Sequence, residues 1–149
     1  MKESKTSETD DVFGPVIYAY TRAQAIEDGV LVDVSVTAHE AGIKLPTVVT
    51  AAVHAEYVAV PEELKSFQDE AGRLWDILWM CAVAIRSGEI QGSEGTFQLI
   101  VATPETTPWR SNEKRHEGSK TQRLVTLKAV CGPADDGSPC ITIMRPEED

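Results

Sequence analysis

Arg22, Asp28 and Asp33 are the residues whose types and spacing most suggest chemistry: one guanidinium and two carboxylates beside the turn-forming Gly29. Such a set could bind a charged substrate or move a proton, so a small enzyme with a polar site here is one expectation. The residues also have structural uses. Asp28 precedes a helix-stopping glycine, Asp33 ends a strand, and Arg22 can pair with either. A second group is Trp109 among Arg110, Lys114, Arg115, Lys120 and Arg123. An aromatic among bases suits contact with a single nucleic-acid strand through a loop at 109–123. The net charge of −10 opposes it, because phosphate repels so acidic a chain. Nucleic acid is therefore not the expected partner.

Other chemistry finds less support. Gly88, Gly92 and Gly95 lack the spacing and the Lys-Ser/Thr ending of a phosphate-binding loop. No Gly-x-Ser-x-Gly elbow occurs. His39, His54, His116 and the cysteines Cys81, Cys131 and Cys140 show no metal-ligand spacing, so neither a metal nor a cofactor is expected. The cysteines read as reduced thiols. Acidic clusters remain: Glu62-Glu63, Asp69-Glu70 and Glu147-Glu148-Asp149. They could face a basic partner or merely keep a small protein soluble.

The elements that must position these residues read as follows. Residues 1–11 form a polar tail expected to be disordered, and residues 12–149 a single domain. A lead-in at 12–20 precedes a short helix capped by Thr21 and stopped by Gly29. A brief β-rich stretch at 30–34 and a helix at 36–41 follow. Pro46 then suits the first turn of a third helix, with Leu45, Val48, Val49, Ala52, Val53 and Tyr57 on one side. Pro61 with Glu62 and Glu63 starts the clearest helix, whose apolar residues recur at positions 64, 67, 71, 74, 78, 81 and 85. Gly72 could split it. Trp75 and Trp79, four apart, are expected in the core, with Arg73 and Asp76 at its rim or as a buried ion pair. From Thr96 the period changes to two, giving strands at 96–102, 124–131 and 140–144. The polar stretch 104–122 is expected to be a mobile loop, and residues 146–149 an acidic tail. The resulting fold class is α+β, with a helical N-terminal two-thirds packed on a small antiparallel sheet of C-terminal strands.

Residues 17–35 (IYAYTRAQAIEDGVLVDVS) carry a distinctive run, followed in order by 72–80 (GRLWDILWM), 123–133 (RLVTLKAVCGP) and 141–144 (ITIM). Together they resemble an uncharacterised family, a domain of unknown function found in bacterial, plasmid and phage proteins. The resemblance implies an accessory role on mobile DNA and names no activity. The longest apolar run, at 77–85, is too short to span a bilayer, and the polar N-terminus lacks a leader pattern, so a cytoplasmic protein is expected. The favoured reading is a non-enzymatic accessory binding protein with a host- or element-encoded protein partner. Its sharper form is an acidic inhibitor of a host nucleic-acid-binding or defence protein.

Overall fold

The computed structural model describes residues 20–148; the expected tail at 1–11 and nearly all of the lead-in lie outside the described residues. Thr21 builds a capping box with Gln24, its hydroxyl accepting the Gln24 N–H, and starts helix α1 at Arg22–Glu27. Strand β1, Leu31–Asp33, and helix α2, Ser35–Ala41, follow. Gly42 closes α2 with φ of 106°, a left-handed conformation that favours glycine.

Here the structure departs from the sequence reading. Residues expected to form a third helix instead open as strand β2, Thr47–Thr50. Val48 and Val49 are almost wholly buried because β2 lies between β1 and a later strand. Their β-branched side chains suit that pleated site better than a helix. A helical turn α3, Ala51–Val53, and a π-helical turn, His54–Val58, carry the chain onward. Pro61 introduces a single 3-10 turn, Glu62–Leu64. The long helix α4 begins at Glu70 and runs unbroken to Arg86. Gly72 does not split it, since its N–H is the one that the N-cap carboxylate of Asp69 receives, at 2.7 Å.

The remaining strands are β3, Glu94–Ala102; β4, Glu113–Arg115; β5, Gln122–Pro133; and β6, Pro139–Met144. They join β1 and β2 in one open mixed sheet of order β1-β2-β6-β5-β3, with β4 beside the start of β5. The pairing of β2 with β6 is parallel and the rest are antiparallel. The expected small C-terminal antiparallel sheet under an N-terminal helical layer is therefore corrected. The sheet has six strands drawn from both halves, and α4 is the one long helix among the described residues. Ile77, Leu78, Cys81 and Ala84 of α4 press on Phe97, Leu99, Leu127 and Ile143 of the sheet. Helix α1 sits on the opposite face, where Arg22 reaches Thr142, the residue in register with Val48. The thiols of Cys81, Cys131 and Cys140 are free.

The long connection at 104–122 is pinned rather than loose. Arg123, 1% exposed, donates from Nη1 to Glu113 Oε1 at 2.9 Å and from Nη2 to the Thr107 carbonyl at 2.6 Å. Its guanidinium carbon lies 3.7 Å from the Trp109 ring centre. Tyr57 donates to the other oxygen of Glu113 at 2.5 Å, while Asn112 donates to the Tyr57 hydroxyl. Glu147 and Glu148 also fold back, Glu147 pairing with Arg145 and Glu148 accepting from the Thr50 hydroxyl and the Arg145 N–H, while Asp149 lies outside the described residues.

Candidate functional site

Strand β3 ends the sheet, so one row of its backbone groups has no strand partner among the described residues. Two hydrogen bonds fix which row. Thr103 N–H donates to the Thr121 carbonyl, and Cys131 N–H donates to the Ser93 carbonyl, both at 2.7 Å. Odd-numbered residues of β3 therefore bond to β5, and Glu94, Thr96, Gln98, Ile100 and Ala102 turn their amides and carbonyls outward. Natural proteins usually blunt such an edge, because it is a template for another strand.

Helix α4 walls this edge. Ile77 and Leu78 are buried in the core that it shares with β3, and Trp79 and Met80 line the groove beside the open strand. This groove, of about 530 Å³, is also lined by Asp76, Gln98, Leu99 and Ile100 among others. Trp75 and Trp79, expected in the core, are 37% and 43% exposed. Their rings stack at 6.0 Å and 15°, and Arg86 covers Trp79 at 5.3 Å. Ile100 adds a further exposed apolar side chain. Acidic residues dominate the rim: Asp76 and Glu89 line the groove and Glu94 lies exposed on the edge.

At the Ala102 end the groove meets a smaller pocket of about 140 Å³, which shares Asp76, Leu99 and Ile100 with it. Arg73 forms its wall and is only 5% exposed. Its Nε donates to the Tyr57 carbonyl at 3.1 Å, and its Nη1 to the outward carbonyl of Ala102 at 2.9 Å and to Gln68 Oε1. Its Nη2 has no partner among the described residues. Of the two expected arrangements, the ion pair is not formed, since no carboxylate of the described residues lies within 4.0 Å of Arg73; Asp76 stands exposed at the rim and Arg73 is buried. Burial lowers the Arg73 pKa, an effect the Asp76 charge opposes. Burial raises that of Asp76, and the Arg73 charge partly offsets it.

The residues singled out from sequence lie elsewhere. Arg22 is spent on Thr142 Oγ1 and the Ile141 carbonyl, each at 3.0 Å. Asp28 accepts from Tyr20, and Asp33 accepts the N–H and hydroxyl of Ser35, the local turn that suits an aspartate there. Arg22 and Asp33 share an open groove with Asp135 and Asp136, but Asp28 is outside it. Glu62 and Glu63 are exposed, Glu62 pairing with Lys65. Asp69 caps α4, and Glu70 stands exposed in its first turn. Trp109 stacks on Arg123, and Arg110 pairs with Glu56 at 3.2 Å and Glu113 at 3.4 Å, so these two arginines neutralise internal carboxylates, whereas Lys114, Arg115 and Lys120 are exposed. No group of three or more His, Cys, Asp or Glu among the described residues could hold a metal ion, and no helix there is long and apolar enough to cross a membrane.

Residues 11–149 match a family of unknown function, DUF6573. The chain belongs to that family. The match spans every described element of the fold, including the open edge of β3 and the exposed tryptophans of α4. Neither a curated protein nor a solved structure matches the chain. For this DUF6573 member the case for function therefore rests on the α4–β3 face. The sequence could have flagged it only through Trp75 and Trp79, whose helical spacing suits core and surface equally.

Proposed function

We propose that this protein is a non-enzymatic binding protein that captures an extended, basic segment of a partner protein along the open edge of β3. The observation that carries the reading is the row of β3 backbone groups with no strand partner among the described residues, beside an exposed Trp75–Trp79 stack. Strand addition takes affinity from main-chain hydrogen bonds and specificity from pockets for alternate side chains. Trp79, Met80 and Ile100 offer apolar pockets, while Asp76, Glu89 and Glu94 favour Lys and Arg in the incoming segment. A basic segment of this kind suits the sharper expectation of a nucleic-acid-binding or defence protein as partner, encoded by a host or by mobile DNA.

A heptapeptide of alternating Lys and Val, acetylated and amidated, tests this. It should quench tryptophan fluorescence saturably, and a Glu-Val counterpart should bind at least about tenfold more weakly. Trp79→Ala should weaken the Lys-Val peptide by about tenfold or more. Equal binding of both peptides, or full affinity in Trp79→Ala, contradicts the reading.

A further inference from the structure

We infer that the small pocket beneath Arg73 is a carboxylate-binding site, in which the free Nη2 of Arg73 receives one carboxylate group. A guanidinium that is 5% exposed and has no carboxylate within 4.0 Å among the described residues is a buried charge with no directly bonded counter-ion, Asp76 acting on it only from a distance. Proteins rarely leave such a charge unpaired, because burial removes the water that would stabilise it. Three of its hydrogen bonds go to neutral oxygens, which hold the side chain in place without cancelling its charge. The remaining nitrogen belongs to a residue lining a pocket of about 140 Å³, room for a carboxylate and a short stem. Gln68 accepts from Arg73 through its oxygen, so its amide nitrogen remains as a second donor at the same wall.

The lining selects among anions. Arg73 is the one cation of the pocket and Asp76 adds a negative charge beside it. A phosphate dianion would meet that carboxylate with one cation to offset three charges, whereas a monoanion leaves a smaller imbalance. Guanidinium and carboxylate also match in shape and hydrogen-bonding geometry. The group could arrive on a small free acid or at the C-terminus of a chain lying on β3, whose open groove leads into the pocket.

Two experiments separate these sources. Acetate titrated into the intact protein should shift the side-chain NMR signals of Arg73, and Arg73→Gln should abolish saturable binding. The Lys-Val heptapeptide with a free C-terminus should bind at least about tenfold more tightly than its amide, a preference that Arg73→Gln should erase. This peptide arm rests on the edge-docking reading, and the acetate arm does not. An acetate response alone assigns a small acid, and an acid-over-amide preference alone assigns a chain terminus. If acetate leaves Arg73 unchanged and acid and amide bind alike, the site is overturned. If neither peptide form binds, edge docking falls and acetate alone decides the pocket. Should Arg73→Gln not fold, Asp76→Asn keeps the test open. Removing the like charge should tighten acetate at least about threefold, and unchanged affinity would count against the site.

Discussion

Glu113→Ala is expected to destabilise the fold by about 3–5 kcal/mol, the usual cost of removing one partner of a buried ion pair. Glu113 and Arg123 each have side chains 1% exposed, so neither charge can turn to water when the other is lost. Arg123 would keep its bonds to the carbonyls of Thr107 and Pro108 but would have no close anion. Tyr57 would lose its acceptor in the same step. Urea unfolding at neutral pH measures the effect, and Glu113→Gln, which preserves shape and some hydrogen bonds, should cost less. The pH dependence has a definite sign. Burial pushes the Glu113 carboxyl up, but hydrogen bonds from Tyr57, the Arg110 N–H and Arg123 outweigh it and hold the pKa below the ordinary value. A carboxylate with a depressed folded pKa contributes stability that is present above its unfolded pKa and is lost as pH falls through the folded one. Stability should therefore fall more steeply below about pH 4.3 in the native protein than in Glu113→Gln.

Leu78→Ala should cost about 2–5 kcal/mol, since a fully buried leucine leaves a cavity that a packed sheet cannot collapse to fill. Leu78 lies where α4 meets the sheet, in the same cluster as Phe97, Leu99 and Leu127. The denaturation midpoint should drop with little change in the urea slope. Trp75→Ala and Trp79→Ala provide the contrast. Both side chains are more than a third exposed, so each change should cost about 1 kcal/mol, mostly lost stacking. A larger penalty at Trp79 than at Leu78 would return the tryptophans to the core and undo the surface described above.

That contrast shows where the sequence was legible. The spacing of apolar residues along α4 identified Leu78 and Cys81 as buried, and both are. It could not separate them from Trp75, because a helix apolar nearly all round has no polar face to orient it. The fold separates them: Leu78 and Cys81 are wholly buried in the core shared with the sheet, while the rings of Trp75 and Trp79 are more than a third exposed. Alternation likewise located most of β3, β5 and β6, but not their union with β2. That parallel pairing joins Thr47–Val49 to residues 141–143, far away in the chain, with no local trace. Arg22, Asp28 and Asp33 suggest a site because they are close in sequence, yet Asp28 and Asp33 are each held by a nearby partner and Arg22 by residues 141 and 142. In the sequence Arg73 stands out only beside Asp76. Its burial follows from the outward Ala102 carbonyl and the Tyr57 carbonyl, which the fold alone brings within reach.

Amide hydrogen exchange along β3 tests the open edge most directly, because the ladder phase assigns alternating residues to opposite fates. In the free protein the amides of Phe97, Leu99 and Val101 should be protected and those of Thr96, Gln98 and Ile100 should exchange rapidly. Adding the Lys-Val peptide should slow the second set by at least about tenfold while leaving the first set unchanged. Outward amides that are already protected in the free protein, or that stay fast at saturating peptide, would contradict strand capture at this edge.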